Sequence, residues 1–285
     1  MRPWARTAEN GALPVTDNGA MTIRIGLSSS SVYPDNAATA FATADRLGYD
    51  GVEIMVWTDP VTQEAGALNA LAELHGIPIV SVHAPTLLLT QRVWGTDPWD
   101  KVDRSIELAL EVGAPTVVLH PPFRWQREYA AGFVDGIALR EHDSGVRLAV
   151  ENMYPWRTAR REVLAYLPHW DPTTQPYDNV TIDLSHTATA GSDAIGMVRA
   201  LGSRLAHLHL TDGLGSFKDE HLVPGRGTQP CTEVLELLSE TGWEGDVVVE
   251  VSTRKGTRDQ RDIDLAESLA FARFGLLPTM GASRI

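Results

Sequence analysis

A single cysteine, Cys231, in a chain of 285 residues excludes an internal disulfide framework and any cysteine-built zinc module. Such sparing use predicts a reducing, cytoplasmic setting. Cationic residues are also in deficit: 24 Lys and Arg against 37 Asp and Glu leave a formal net charge of −13. The summed field repels polyanions, so a nucleic-acid partner is disfavoured unless basic residues cluster locally. No apolar run approaches the roughly 20 residues that span a bilayer, and the opening MRPWARTAENGALPVTDNGAM lacks the apolar centre of an export signal. Neither a membrane protein nor a secreted one is expected. Residues 1–21 have no periodicity and read as a flexible arm or an upstream start before Met21, and residues 277–285 as a tail. What is present is ordinary for a globular protein, with 43% hydrophobic and 21% charged residues. The length is high for one average domain but within the range of an α/β barrel.

Eight short apolar runs, rich in β-branched residues, recur after the arm: TIRIGLS from Thr22, GVEIMVW from Gly51, IPIVSVHAP from Ile77, PTVVLHPP from Pro115, RLAVENM from Arg147, NVTIDLSH from Asn179, LAHLHLTDG from Leu205 and DVVVEVST from Asp246. Helix-patterned segments such as AATAFATADRLG and DKVDRSIELALEVG separate them, several closing on the Gly expected past a helix C-terminus. Near-continuous apolar strands alternating with helices predict a parallel sheet covered on its faces. Repeated along one chain of this length, the unit most simply closes into a single (β/α)8 TIM barrel over residues 22–276, with a doubly wound sheet as the alternative.

Polar residues fall at the ends of these runs. His83, His120, Glu151, Asp183, His209 and Glu250 each close one of six runs. Side chains alternate faces along a strand, so Glu151 shares its face with Ala149, Asp183 with Thr181 and Glu250 with Val248, residues sized for a barrel interior. In a barrel the six would converge at the C-terminal mouth, where active sites of this fold lie. Collecting acids and imidazoles in one partly buried bowl is costly unless cations compensate, so a metal site is expected. His186, three residues beyond Asp183, and Asp219 with His221 in the loop after the seventh run extend the set to the same rim. Carboxylate with imidazole suits Mn²⁺, Zn²⁺ or Fe²⁺ better than Ca²⁺, with Mg²⁺ less favoured. His207 shares a strand face with His209 from a deeper position, and Glu53 of GVEIM is expected to point inward as well. Arg157, Arg160 and Arg161, then Arg254, Lys255, Arg258 and Arg261, follow strand ends. With Arg226 in the PGRG turn they are candidates to hold a phosphate or other anion. Trp94, Trp99, Phe123, Trp125 and Trp156 could wall a sugar site or simply pack their own loops.

Together the motifs VHAP, LHPP, VEN, IDLSH, HLHLTDG, DEHLVPGRG and VVVEVS resemble the xylose isomerase-like TIM-barrel superfamily, over about Thr22 to Phe274. That superfamily includes sugar phosphate isomerases and epimerases and also endonuclease IV. In its sugar branch one divalent ion, often manganese, is held by a Glu, Asp, His, Glu quartet, which falls here on Glu151, Asp183, His209 and Glu250. The resemblance implies a sugar or sugar phosphate substrate, proton transfer by Glu151 and Glu250 through an enediolate, and a substrate hydroxyl bound by His186. In the endonuclease IV branch three zinc ions are held by nine residues, which fall on His83, His120, Glu151, Asp183, His186, His209, Asp219, His221 and Glu250. A metal-dependent sugar isomerase or epimerase is the leading expectation. An endonuclease IV-like zinc phosphodiesterase acting on abasic DNA is the alternative, against which the net charge of −13 weighs. Barrels of this kind often self-associate, so a homo-oligomer is also an expectation.

Overall fold

The described residues form ten strands: β1 Arg24–Ser28, β2 Gly51–Met55, β3 Ile79–His83, β4 Thr116–Leu119, β5 Arg147–Glu151, β6 Trp156–Thr158, β7 Arg161–Val163, β8 Val180–Asp183, β9 Leu205–Leu210 and β10 Asp246–Val249. The computed structural model describes residues 23–86, 90, 92–158 and 161–278, so the arm at 1–21 and most of the tail lie outside the described residues. Eight strands close into a barrel in the order β1-β10-β9-β8-β5-β4-β3-β2, every neighbouring pair parallel. Each of the eight apolar runs contains one barrel strand, as a (β/α)8 barrel requires. β6 and β7 instead make a small antiparallel hairpin beyond the mouth of β5.

Alternation along the strands separates two environments. Leu148 and Val150, Val180 and Ile182, Leu208 and Leu210, and Val247 and Val249 belong to the core between strands and helices. The intervening residues point inside the cylinder, so Glu151, Asp183, His207 and His209 occupy the interior by the period of the strand. The registers set Asp183 beside His209, and His209 beside Val248, two residues before Glu250.

The helices begin and end where their local chemistry says they should. Asn36, Asp97, Asp193 and Thr257 accept backbone N–H bonds as N-caps, and Gly48, Gly76, Gly113 and Gly145 adopt the left-handed conformation at the C-terminal side. Buried Lys101, in the helix Pro98–Val112, donates from Nζ to the carbonyls of Thr90 (3.0 Å) and Val93, fixing part of the long connection after β3.

Candidate metal centre

Glu151, Asp183 and His209 lie at or near the C-terminal ends of β5, β8 and β9, and Glu250 directly follows β10. One ligand atom from each of these four lies within 4.8 Å of the other three. His209 Nδ1 stands 3.0 Å from Glu151 Oε1, 3.0 Å from Glu250 Oε2 and 3.7 Å from Asp183 Oδ2. Asp183 Oδ1 accepts from the backbone N–H of His186 at 2.7 Å, whereas its Oδ2 is buried without a hydrogen-bond partner. A bare carboxylate oxygen in the interior is costly, and three acids with one imidazole are a donor set that a divalent cation satisfies. The residues fit such an ion on that ground.

Two further groupings adjoin the quartet. His83 and His120 approach Glu151 Oε2 at 3.4 and 2.9 Å, and these three are close enough to share a cation. Asp183, His186 and His221 form another, with Asp219 Oδ2 lying 3.2 Å from His186 Nε2 and 3.0 Å from His221 Nε2. All nine strand-end and loop residues expected at the rim are therefore brought together, with Glu151 and Asp183 each belonging to two groupings. His221 carries a φ of 47°, a left-handed conformation uncommon for a side-chain-bearing residue. Its ring and backbone hold it there: Nδ1 meets the Glu250 carbonyl at 2.8 Å, and its carbonyl accepts from Ser252 N at 2.8 Å.

Several supporting residues were not assigned from the sequence. Asn152 Oδ1 accepts from Asp183 N at 2.6 Å, and its carbonyl lies 2.8 Å from His186 Nδ1, so the Asn of the VEN motif spaces Asp183 and His186. Ser30 donates to Glu250 Oε1 at 3.0 Å. Buried Asp212, of the TDG motif, accepts four backbone N–H bonds at 2.8–3.0 Å, from Gly213 and Gln229 on Oδ1 and from Gly225 and Gly227 on Oδ2. That carboxylate closes the loop carrying Asp219 and His221 onto the PGRG turn. A Cβ on Gly227 would sit 2.2 Å from Asp212 Oδ1, so the turn requires glycine there.

The charges at the rim are mutually dependent. Burial opposes ionisation of Glu151, but the charges of His186, His120 and His209 outweigh it and hold the carboxyl well below its ordinary range. Burial likewise opposes protonation of His186, but Asp183, Asp219 and Glu151 push it up to about 10. Glu250, also disfavoured by burial, is drawn down to about 2 by His209, His221 and His83. Burial raises Asp183, helped by repulsion from Glu151 and Asp219. A cation must therefore displace protons from imidazoles, and affinity should rise with pH.

The metal-free protein should respond in the opposite sense. His186 contributes stability below its ordinary value of 6.5 that is lost as pH rises through about 10. Glu250 contributes stability above its ordinary value of 4.5 that is lost as pH falls through about 2. The chelated protein is thus expected to melt at its highest temperature between about pH 4.5 and 6.5 and to weaken towards pH 9.5, while Mn²⁺ or Zn²⁺ raises Tm most on the alkaline side. Melting curves across pH with and without EDTA check this. A Tm of the chelated protein that is flat or rising above pH 6.5 would contradict it.

A cavity of about 510 Å³ opens over the quartet and runs towards the loops after β1, β2 and β10. Glu151, His186 and Glu250 line its floor, and Tyr33, Trp57 and Arg254 line its outer part. The aromatic residues singled out from the sequence lie elsewhere. Phe123 stacks on Trp125, with centroids 4.4 Å apart, and on Tyr166, while Trp156 lies tilted against Phe123 and Trp125, and Trp99 packs against Tyr129 and Arg140. Arg226, expected to bind substrate, points away from the cavity: it is exposed and salt-bridged to Asp264 (2.8 Å) and to Glu267 of the final helix, Arg258–Gly275. Two acids on that helix compete for its guanidinium. Arg157 is bound to Glu162 and to the carbonyls of Thr189 and Ala190, and Arg258 and Arg261 to Asp35. Arg160 lies outside the described residues. Among the described residues, Arg254 reaches the cavity with no acidic partner.

A closed parallel barrel with polar strand ends gathered at one mouth defines an α/β barrel with a metal-competent rim, and the chain belongs to the xylose isomerase-like TIM barrel family, which it matches over residues 41–273. It is 50% identical over 275 residues to an uncharacterized protein of Mycobacterium tuberculosis, covering 90% of this chain and 98% of that one. It is 25% identical over 241 residues to the fructoselysine 3-epimerase of Shigella flexneri, covering 75% and 84%. In fold it is similar to a 3-keto-D-glucoside 4-epimerase from E. coli, with a TM-score of 0.64 and 16% identity over 89% of this chain and 100% of that one. A D-tagatose 3-epimerase-like protein gives a TM-score of 0.63 at 24% identity, over 88% and 99%. No helix of the described residues is long and apolar enough to cross a membrane.

Proposed function

We propose that the protein is a divalent-metal-dependent isomerase or epimerase of a sugar or sugar derivative. One observation carries the reading: Glu151, His209 and Glu250, from three other strand ends, gather around a buried Asp183 oxygen that has no hydrogen-bond donor of its own. The named relatives, among them fructoselysine 3-epimerase, supply the reaction class. Glu151, Asp183, His209 and Glu250 would hold the ion, with Mn²⁺ and Zn²⁺ suited to the donor set. A bound cation supplies Lewis-acid stabilisation of the oxyanion formed when a proton leaves the carbon beside a carbonyl.

The chain's own residues account for the rest. Glu151 and Glu250 enter from strands on different sides of the barrel and both line the cavity. One carboxylate takes the proton from carbon and the other returns it, which on opposite faces inverts the centre. Ser30 holds Glu250 Oε1 and leaves Oε2 turned inward, near His209. His120 Nε2, 2.9 Å from Glu151 Oε2, is placed to relay a proton from that carboxyl. His186, at the cavity floor, would bind a substrate hydroxyl. The test is exchange in D₂O with Mn²⁺-loaded protein and a panel of ketopentoses, ketohexoses and their phosphates. Deuterium is expected at a carbon beside the carbonyl. No exchange across the panel would sink the reading.

Arg254 gives the outer cavity an uncommitted positive charge, which favours a substrate bearing phosphate or carboxylate at its far end. Arg254→Ala is expected to raise KM for such a substrate about 10- to 100-fold, with neutral sugars unaffected. Equal effects on charged and neutral sugars would remove Arg254 from anion recognition.

The adjoining groupings around Glu151 and Asp183 favour a second reading, an endonuclease IV-like zinc phosphodiesterase acting on abasic DNA. Arg157, Arg226, Arg258 and Arg261 are paired with acids within the protein, so these four arginines are not free to grip a duplex. Metal analysis separates the two readings. One ion per chain without nicking is expected; three zinc ions per chain with incision of abasic duplex would reverse the order.

A further inference from the structure

Glu53 has no part in the reaction described above, yet it is a wholly buried carboxylate in the middle of β2, paired in register with Ser81 inside the barrel. It lies below the rim, and its neighbours are unusual for an interior acid. Ser81 Oγ donates to Oε2 at 2.7 Å, and His209 Nε2 lies 3.2 and 3.4 Å from its two oxygens. His207 Nε2 is 3.0 Å from Oε2 without the alignment of a hydrogen bond.

His209 thus presents one ring nitrogen to Glu53 and the other to the quartet. Nδ1 faces Glu151, Glu250 and Asp183 at 3.0, 3.0 and 3.7 Å. A carboxylate only accepts, so Nε2 must carry its proton towards Glu53, and the lone pair available to a cation is then on Nδ1. The ring plane is held as well, since His207 meets it edge-on at 5.1 Å and 84°, and His83 stacks on it at 5.8 Å and 13°.

We propose that Glu53 is the positioning residue of the metal centre, fixing His209 in the tautomer and orientation that offer Nδ1 to the cation. The proposal rests on the metal reading above. Glu53, His207 and His209 are also close enough to hold a cation of their own. Against that, Ser81 and the His209 N–H already engage Glu53, and full burial of all three separates them from the cavity.

The test is Zn²⁺ affinity by competition with a chromophoric chelator for wild type, Glu53→Gln and Glu53→Ala. A 10- to 100-fold loss is expected for Glu53→Ala. Glu53→Gln, which keeps an acceptor oxygen without the charge, should fall between. Independently of any variant's folding, ¹⁵N spectra of histidine-labelled, zinc-loaded wild type should place the remaining His209 proton on Nε2. Unchanged affinity in folded Glu53→Ala, or a proton on Nδ1, overturns the assignment. Loss of one of two bound ions at unchanged affinity for the other would overturn it in favour of a buried cation site. Wild type that binds no zinc sinks the metal reading and this inference with it.

Discussion

Glu250→Gln is expected to lower solvent exchange into the substrate by about 10²- to 10⁴-fold, the usual contribution of a general acid–base group. Gln keeps an oxygen for the Ser30 hydroxyl that now reaches Oε1 at 3.0 Å, so the loop after β10 should stay in place. What disappears is the charge beside His209 and the capacity to take a proton. Exchange should be measured at saturating Mn²⁺, so that weaker ion binding is not mistaken for lost proton transfer. Glu151→Gln should be worse in both respects, since Glu151 also meets His83, His120 and His186. A Glu250→Gln protein that exchanges at more than a tenth of the wild-type rate with its ion bound would take Glu250 out of the proton path.

The second large effect is expected far from the reacting atoms. Asp212→Ala removes an acceptor from four backbone N–H groups, and Asp212→Asn is expected to be nearly as damaging, because the amide keeps one oxygen and turns an NH₂ against two of those donors. Stranded donors at a partly buried turn cost about 1–3 kcal/mol each before water relieves some of them, so a total near 3–5 kcal/mol is expected. For a chain of this size that is a fall in Tm of roughly 10 °C. Affinity for ions should drop too, since Asp219 and His221 ride on the same loop. An Asp212→Asn protein melting within about 2 °C of wild type would show that the turn closes without the carboxylate.

The barrel and the gathering of polar strand ends at one mouth were legible because both depend on strand period. Runs such as VTID and LAHLH state which residues face inward and which comes last, and a closed sheet turns that list into a ring. The hairpin of β6 and β7 was not legible, because three-residue strands are too short to carry a period. Arg226 was misplaced because a PGRG turn does not reveal that Asp264 and Glu267, some forty residues later, will claim its guanidinium. Asp212 was overlooked for a different reason: its partners are main-chain amides, which every sequence contains and no sequence displays. Glu53 was expected to face inward, and it does, but its contact with His209 crosses the barrel and depends on the closure itself.

Membership of two groupings gives Glu151, Asp183 and His209 a constraint that the other rim residues escape. Any change at one of these three is felt in both of its groupings, so none can be altered without disturbing the neighbours on either side. Divergence of chemistry on this scaffold therefore has to run through singly committed positions, His120, His221 and Glu250, while the three doubly committed residues stay put.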